Sequence, residues 1–224
     1  MSNIKDNLGK VEQQIKNACQ INQKSPTRVQ LLAVSKTKPA SDVESAYNAG
    51  QRLFGENYVQ EAVDKINELD HLDEIQWYFI GPIQSNKTKL IAEHFDWVQS
   101  VDRVKILQRL NEQRPSEKGK LNVCLQVNIS DEASKSGATL AELPALIDTI
   151  KQCENLVLRG FMAIPEKGNP SLSFEKMDQL FTQYQAQIPT IDTLSMGMSG
   201  DMELAIANGS TMVRIGTAIF GARH

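Results

Sequence analysis

The chain has 224 residues, 41% of them apolar and 23% charged, and a net charge of −3. These values suit one hydrophobic core of ordinary size, and they leave no global positive field to recruit nucleic acid or an anionic membrane surface. No apolar run is long enough to span a bilayer, no secretory segment follows Met1, and neither the three cysteines nor the three histidines show metal spacing, so a cytoplasmic protein without a metal site is expected.

Short apolar runs alternate with longer amphipathic ones from end to end. An amphipathic helix is predicted over residues 4–21, ahead of the first strand. Strands are predicted over 29–35, 52–55, 77–80, 97–100, 122–128, 158–163, 193–198 and 212–215. Helices are predicted between them over 40–49, 58–69, 87–94, 104–111, 140–152, 174–187 and 202–207. Residues 114–120, 130–137 and 167–171 read as loops. Eight β/α units with short connections imply a parallel sheet with helical crossovers. One domain over residues 1–224, folded as a (β/α)8 barrel of the TIM type with an extra N-terminal helix, accounts for the pattern better than an open doubly wound sheet.

The first strand ends Leu31-Leu32-Ala33-Val34-Ser35-Lys36-Thr37-Lys38-Pro39. Leu32, Val34 and Lys36 share one strand face, which aims Lys36 at the barrel mouth. Partial desolvation there disfavours the ammonium and frees the amine to attack an aldehyde. A strand-end lysine that reaches back to water is the competing reading. Lys38 is a rival amine, but it precedes Pro39 and belongs to an extended turn. Lys135 is a further lysine open to transient attachment.

Barrels often hold phosphate in the loops after the seventh and eighth strands. Ser199 follows the seventh and offers a hydroxyl. Gly216 and Thr217 follow the eighth and offer N–H groups at close approach. Alternatively, Ser199 and Gly200 only lead into a helix and Gly216 only ends a strand. Arg214 lies between apolar Val213 and Ile215 and needs an acceptor inside the barrel, a heterocyclic nitrogen or a structural carboxylate. Asn57 opens the helix after strand two, as a cap or with its amide turned to a ligand. Asn86 and Lys87 are weaker rim candidates. Met162 and residues 196–198 read as adaptable core filling, and the acidic stretch 64–73 as a solvated helix face.

Six segments carry a resemblance in order along the chain: residues 33–39, Phe54-Gly55-Glu56-Asn57-Tyr58-Val59-Gln60-Glu61, residues 79–87, Gly160-Phe161-Met162-Ala163-Ile164-Pro165, residues 194–199, and Val213-Arg214-Ile215-Gly216-Thr217 continuing to Gly221. Over essentially its whole length the chain resembles the pyridoxal phosphate homeostasis proteins, which share the barrel of the alanine racemase amino-terminal domain. The resemblance implies pyridoxal 5′-phosphate as cofactor, held as a Schiff base on Lys36. It implies that Ser199, Gly216 and Thr217 take the phosphate, that Arg214 approaches the pyridine nitrogen, and that Asn57 lies near the cofactor.

An arginine partner donates to an unprotonated ring nitrogen and weakens carbanion stabilisation. Racemisation also wants a second base, which a racemase resembling this barrel takes from a further β domain; the barrel here uses the whole chain. The expectation is a monomeric carrier in vitamin B6 homeostasis that supplies apo-enzymes, with little turnover of amino acids. The alternatives are an amino acid racemase or related pyridoxal enzyme, and a sugar-phosphate enzyme with Lys36 as a Schiff-base lysine.

Overall fold

Eight short strands, each followed by a helix, can bury both sheet faces only by closing the sheet and covering its outside. The computed structural model describes residues 3–130, 136–165 and 170–222 and shows that closure. The strands are β1 (Gln30–Val34), β2 (Leu53–Glu56), β3 (Gln76–Phe79), β4 (Trp97–Val101), β5 (Leu121–Gln126), β6 (Leu156–Met162), β7 (Thr193–Ser195) and β8 (Met212–Ile215). They pair in parallel in sequence order, and β1 closes on β8 with Leu32 opposite Arg214 and Ala33 opposite Ile215. All eight predicted strands are present.

The helices are α1 (Ile4–Ile21), α2 (Ala40–Asn48), α3 (Val59–Glu68), α4 (Thr88–His94), α5 (Val104–Gln113), α6 (Leu143–Lys151), α7 (Pro170–Gln185), α8 (Met202–Ala207) and α9 (Thr217–Phe220). Three short 3-10 turns, Pro26–Arg28, Ser85–Lys87 and Ser116–Lys118, were too brief for periodicity to register. Of the predicted loop over 167–171, residues 167–169 lie outside the described residues, and Pro170 and Ser171 belong to α7. The predicted loop at 130–137 lies largely outside the described residues.

The N-terminal helix has a definite place. Among the described residues β8 is followed by the four-residue α9, too short to cover the sheet. Helix α1 packs against α2, α8 and α9 and occupies the gap. Asn3 caps it by accepting from the Asp6 N–H at 3.3 Å, and Ile4, Leu8, Val11, Ile15 and Ala18 form its buried stripe. Asn7 Nδ2 donates to the Ile219 carbonyl at 2.9 Å, and Lys24 Nζ to the Ile206 carbonyl at 2.7 Å.

Alternation along the strands divides the core. Ala33, Phe54, Phe79, Val98, Leu125, Phe161, Leu194 and Val213 face the helices. Leu32, Tyr78, Trp97, Cys124, Met162 and Met212 fill the lumen, with Leu53 and Ile80 at its margin. Met162 and Met196 are core filling as expected, but Met198 is 40% exposed, because it has left the strand for the rim. Tyr78 stacks on Trp97 with centroids 5.0 Å apart, and the Arg159 guanidinium covers Trp97 at 4.7 Å. That stack plugs the amino-terminal end of the lumen and leaves the carboxyl end as the place for chemistry.

Candidate functional site

Above the apolar lumen the layer turns polar. Ser195 Oγ donates to Gln99 Oε1 at 2.7 Å, and Gln99 Nε2 contacts the Met212 sulfur at 3.1 Å. Arg214 is buried in this layer. Its Nη1 donates to the Ser195 carbonyl at 2.7 Å and to Ser195 Oγ at 2.9 Å, and its Nη2 donates to the Ala163 carbonyl at 3.0 Å. These three bonds leave two of the five guanidinium N–H donors for another acceptor. The structural salt bridge weighed for Arg214 is not formed among the described residues; its partners are neutral oxygens. Burial pushes the guanidinium pKa down to about 10, which still keeps it cationic at neutral pH and a donor only.

Lys36 stands two residues beyond the end of β1. Leu32 points into the lumen and Ser35 points outward to Glu56, and Lys36 then begins the turn by which the chain leaves β1 at the carboxyl end of the barrel. It is half-buried. The rival Lys38 donates its Nζ to the Ala222 carbonyl at 2.8 Å. Lys135 lies outside the described residues.

The segments after β7 and β8 are tied to each other. The Arg214 N–H donates to the Gly197 carbonyl at 3.0 Å, tying the segment beyond β7 to β8. A turn from Met198 to Asp201 follows, with the Met198 N–H on Asp201 Oδ1 at 2.6 Å, and Ser199 and Gly200 are exposed at its tip. Gly216 lies against Val34: a Cβ there would come within 3.0 Å of the Val34 carbonyl. Gly216 and Thr217 open α9, whose first N–H groups have no intrahelical acceptor. A cavity of about 600 Å³ opens on the helix side of this turn, lined by Ser199, Gly200 and Asp201 with Gln14 of α1 and Pro170 of α7; Lys36, Arg214, Gly216 and Thr217 do not line it.

Asn57 stands on the other side of the mouth. Helix α3 begins after Tyr58 with no side-chain cap, so Asn57 does not serve as the cap. Its Oδ1 is instead buried without a hydrogen-bond partner. Its backbone is fixed by Gly81, where any Cβ would fall 2.1 Å from the Asn57 carbonyl. A smaller cavity of about 250 Å³ opens beside it, lined also by Tyr58, Pro82 and Lys87.

A larger cavity, about 660 Å³, opens at the plugged end between Arg28, Lys118, Arg159 and Asp192. Several of its charges are already engaged: Arg159 pairs with Asp192, and Arg114 donates to four backbone carbonyls. Size alone therefore points away from the mouth, and the convergence of reactive groups decides for it.

Three residues behind Lys36 escaped the sequence reading. Glu56, Glu61 and Lys65 form a linked set, with Lys65 Nζ 2.7 Å from Glu56 Oε1 and 2.8 Å from Glu61 Oε1. Lys65 falls within the acidic stretch 64–73 and is buried. The four-residue spacing from Glu61 to Lys65 was the available signal.

A parallel barrel with these groups at its mouth is of the alanine racemase amino-terminal type, and the sequence model of the alanine racemase N-terminal domain family matches residues 9–224. The chain is 56% identical to a pyridoxal phosphate homeostasis protein of Vibrio alginolyticus, over 100% of this chain and 99% of that one. It is 54% identical to the protein of that name in Escherichia coli (strain K12), over 100% and 98% of the two chains. The structure of PipY from Synechococcus elongatus PCC7942 with PLP bound superposes with a TM-score of 0.82 at 36% identity, covering 97% of this chain and all of that one. The chain belongs to the pyridoxal phosphate homeostasis protein family.

Proposed function

We propose that this protein binds pyridoxal 5′-phosphate at the barrel mouth and acts in its intracellular homeostasis, without substantial turnover of amino acids. The observation that carries the reading is the grouping at one barrel end of Lys36, the cationic donor Arg214, the turns at Ser199 and Gly216, and the unpartnered Asn57 Oδ1. A buried acceptor without a partner is costly unless a ligand or water satisfies it. The residues present fit this cofactor.

When bound, the cofactor supplies an aldehyde that a lysine amine captures reversibly. Lys36 is the residue assigned to that capture. Ser199, Gly216 and Thr217 are assigned to the phosphate through hydroxyl and backbone N–H donors. Arg214 would offer a spare N–H to the ring nitrogen and, being a donor only, would favour that nitrogen without a proton. Asn57 supplies an amide at the rim. An arginine in this place favours retention over carbanion chemistry.

The homeostasis names of the relatives agree with a carrier role. Exposed Tyr58, Ile164 and Met198 ring the mouth and offer apolar contact to an apo-enzyme receiving the cofactor. We take residues 1–224 as one such domain, acting as a monomer. No helix among the described residues is long and apolar enough to cross a membrane, and three free cysteines suit a reducing cytoplasm. Incubation with a panel of chiral amino acids tests the functional claim: optical activity should persist, and turnover near about 1 s⁻¹ would establish an enzyme instead.

A further inference from the structure

We propose that Glu56, Glu61 and Lys65 are positioning residues that set the direction of Lys36 by clamping the backbone on both sides of it. The inference rests on Lys36 being the cofactor lysine.

Glu56 ends β2, and alternation turns it out of the lumen towards α3. Its Oε1 accepts from Ser35 Oγ at 2.7 Å and from Lys65 Nζ at 2.7 Å. Lys65 Nζ also donates to the Ser35 carbonyl at 2.8 Å. Glu61 Oε1, held by Lys65, accepts from the Thr37 N–H at 2.6 Å. Ser35 is thus gripped through hydroxyl and carbonyl, and Thr37 through its N–H. Lys36 lies between them.

The need for a clamp is visible in the backbone. The Lys38 N–H donates to the Ser35 carbonyl at 3.1 Å, closing a four-residue turn with Lys36 and Thr37 at its centre. Thr37 has φ +62°, the left-handed value that the third position of a type II turn requires and that glycine or asparagine normally supplies. A β-branched residue resists that conformation and holds it only when its surroundings impose it. The turn swings the chain out to α2 immediately after Lys36, so the conformations held at Ser35 and Thr37 decide where Lys36 is aimed. Glu56 and Lys65 are buried, which removes competing water from the clamp.

The test uses the full chain with Glu61→Ala and with Glu61→Ala combined with Thr37→Asn, since asparagine tolerates the left-handed region. Four quantities are read: borohydride-trapped pyridoxal 5′-phosphate on Lys36, binding of pyridoxine 5′-phosphate, which has the phosphate but no aldehyde, acylation of Lys36 by a small neutral reagent in apo-protein, and the unfolding midpoint. Glu61→Ala should lower trapping by roughly tenfold or more, in keeping with the cost of misplacing a reacting group. It should also change the acylation rate, with analogue binding and the midpoint nearly unmoved. Thr37→Asn should recover most of the trapping. Wild-type trapping and acylation in Glu61→Ala would overturn the clamp. So would a loss that parallels analogue binding and resists Thr37→Asn. Failure of the wild type to trap at Lys36 would instead overturn the cofactor assignment, and the acylation comparison would still judge the clamp.

Discussion

Arg214 and Ser195 meet twice at the floor of the mouth: one guanidinium nitrogen reaches both the Ser195 carbonyl and its hydroxyl, at 2.7 and 2.9 Å. The arginine is thereby oriented by neutral groups, with no carboxylate paired to it among the described residues. Arg214→Ala removes a charge-assisted hydrogen bond worth about 1.5–3 kcal/mol, so cofactor affinity should fall about 10- to 150-fold. Ser195→Ala removes one neutral partner and should cost less, about 0.5–1.5 kcal/mol. Equilibrium titration of both variants checks the order, and unchanged affinity in Arg214→Ala would contradict its proposed contact.

Lys65 neutralises a buried carboxylate. Burial holds the Glu56 pKa above the ordinary value of 4.5, with Lys65 and Ser35 opposing. Lys65→Met leaves that carboxylate unpaired and should destabilise the fold by about 3–5 kcal/mol at neutral pH. Loss of the opposing cation raises the folded pKa further. The folded state then binds more protons than the unfolded state from the ordinary value upward, so stability of the variant falls as pH rises through that window. Below it the carboxyl is protonated in both states and the deficit against wild type shrinks. Denaturant unfolding at acid and neutral pH measures the difference.

Gly81 and Gly9 give a paired control on backbone placement. A Cβ at residue 81 would meet the Asn57 carbonyl at 2.1 Å, whereas nothing lies within 4 Å of one at residue 9 in α1. Gly81→Ala should cost about 1–3 kcal/mol, as overpacking does, and should weaken cofactor binding by displacing Asn57. Gly9→Ala should stabilise by about 1 kcal/mol through helix propensity alone, with binding unchanged.

The barrel was legible because its signal is repeated eight times: each strand is a short apolar run and each crossover a longer amphipathic one. Helix α9 was not, since four residues cannot display a period of 3.6. Alternation with Leu32 and Val34 is the sequence argument for aiming Lys36 at the lumen, and it weakens at the turn that begins with Lys36. The partners of Arg214 were not legible, because backbone carbonyls at Ala163 and Ser195 carry no side-chain signature. Lys65 was hidden for a related reason. Its burial depends on Glu56 from another element, and a charged residue on an acidic helix reads as solvated until that neighbour is placed.

Borohydride reduction of protein loaded with pyridoxal 5′-phosphate, followed by peptide mapping, tests the central assignment most directly. The account predicts one dominant modified peptide, carrying the reduced adduct on Lys36, and its loss in Lys36→Ala while weak noncovalent binding persists. An unmodified Lys36 in loaded protein, or an adduct centred on Lys38 or Lys135, would contradict it.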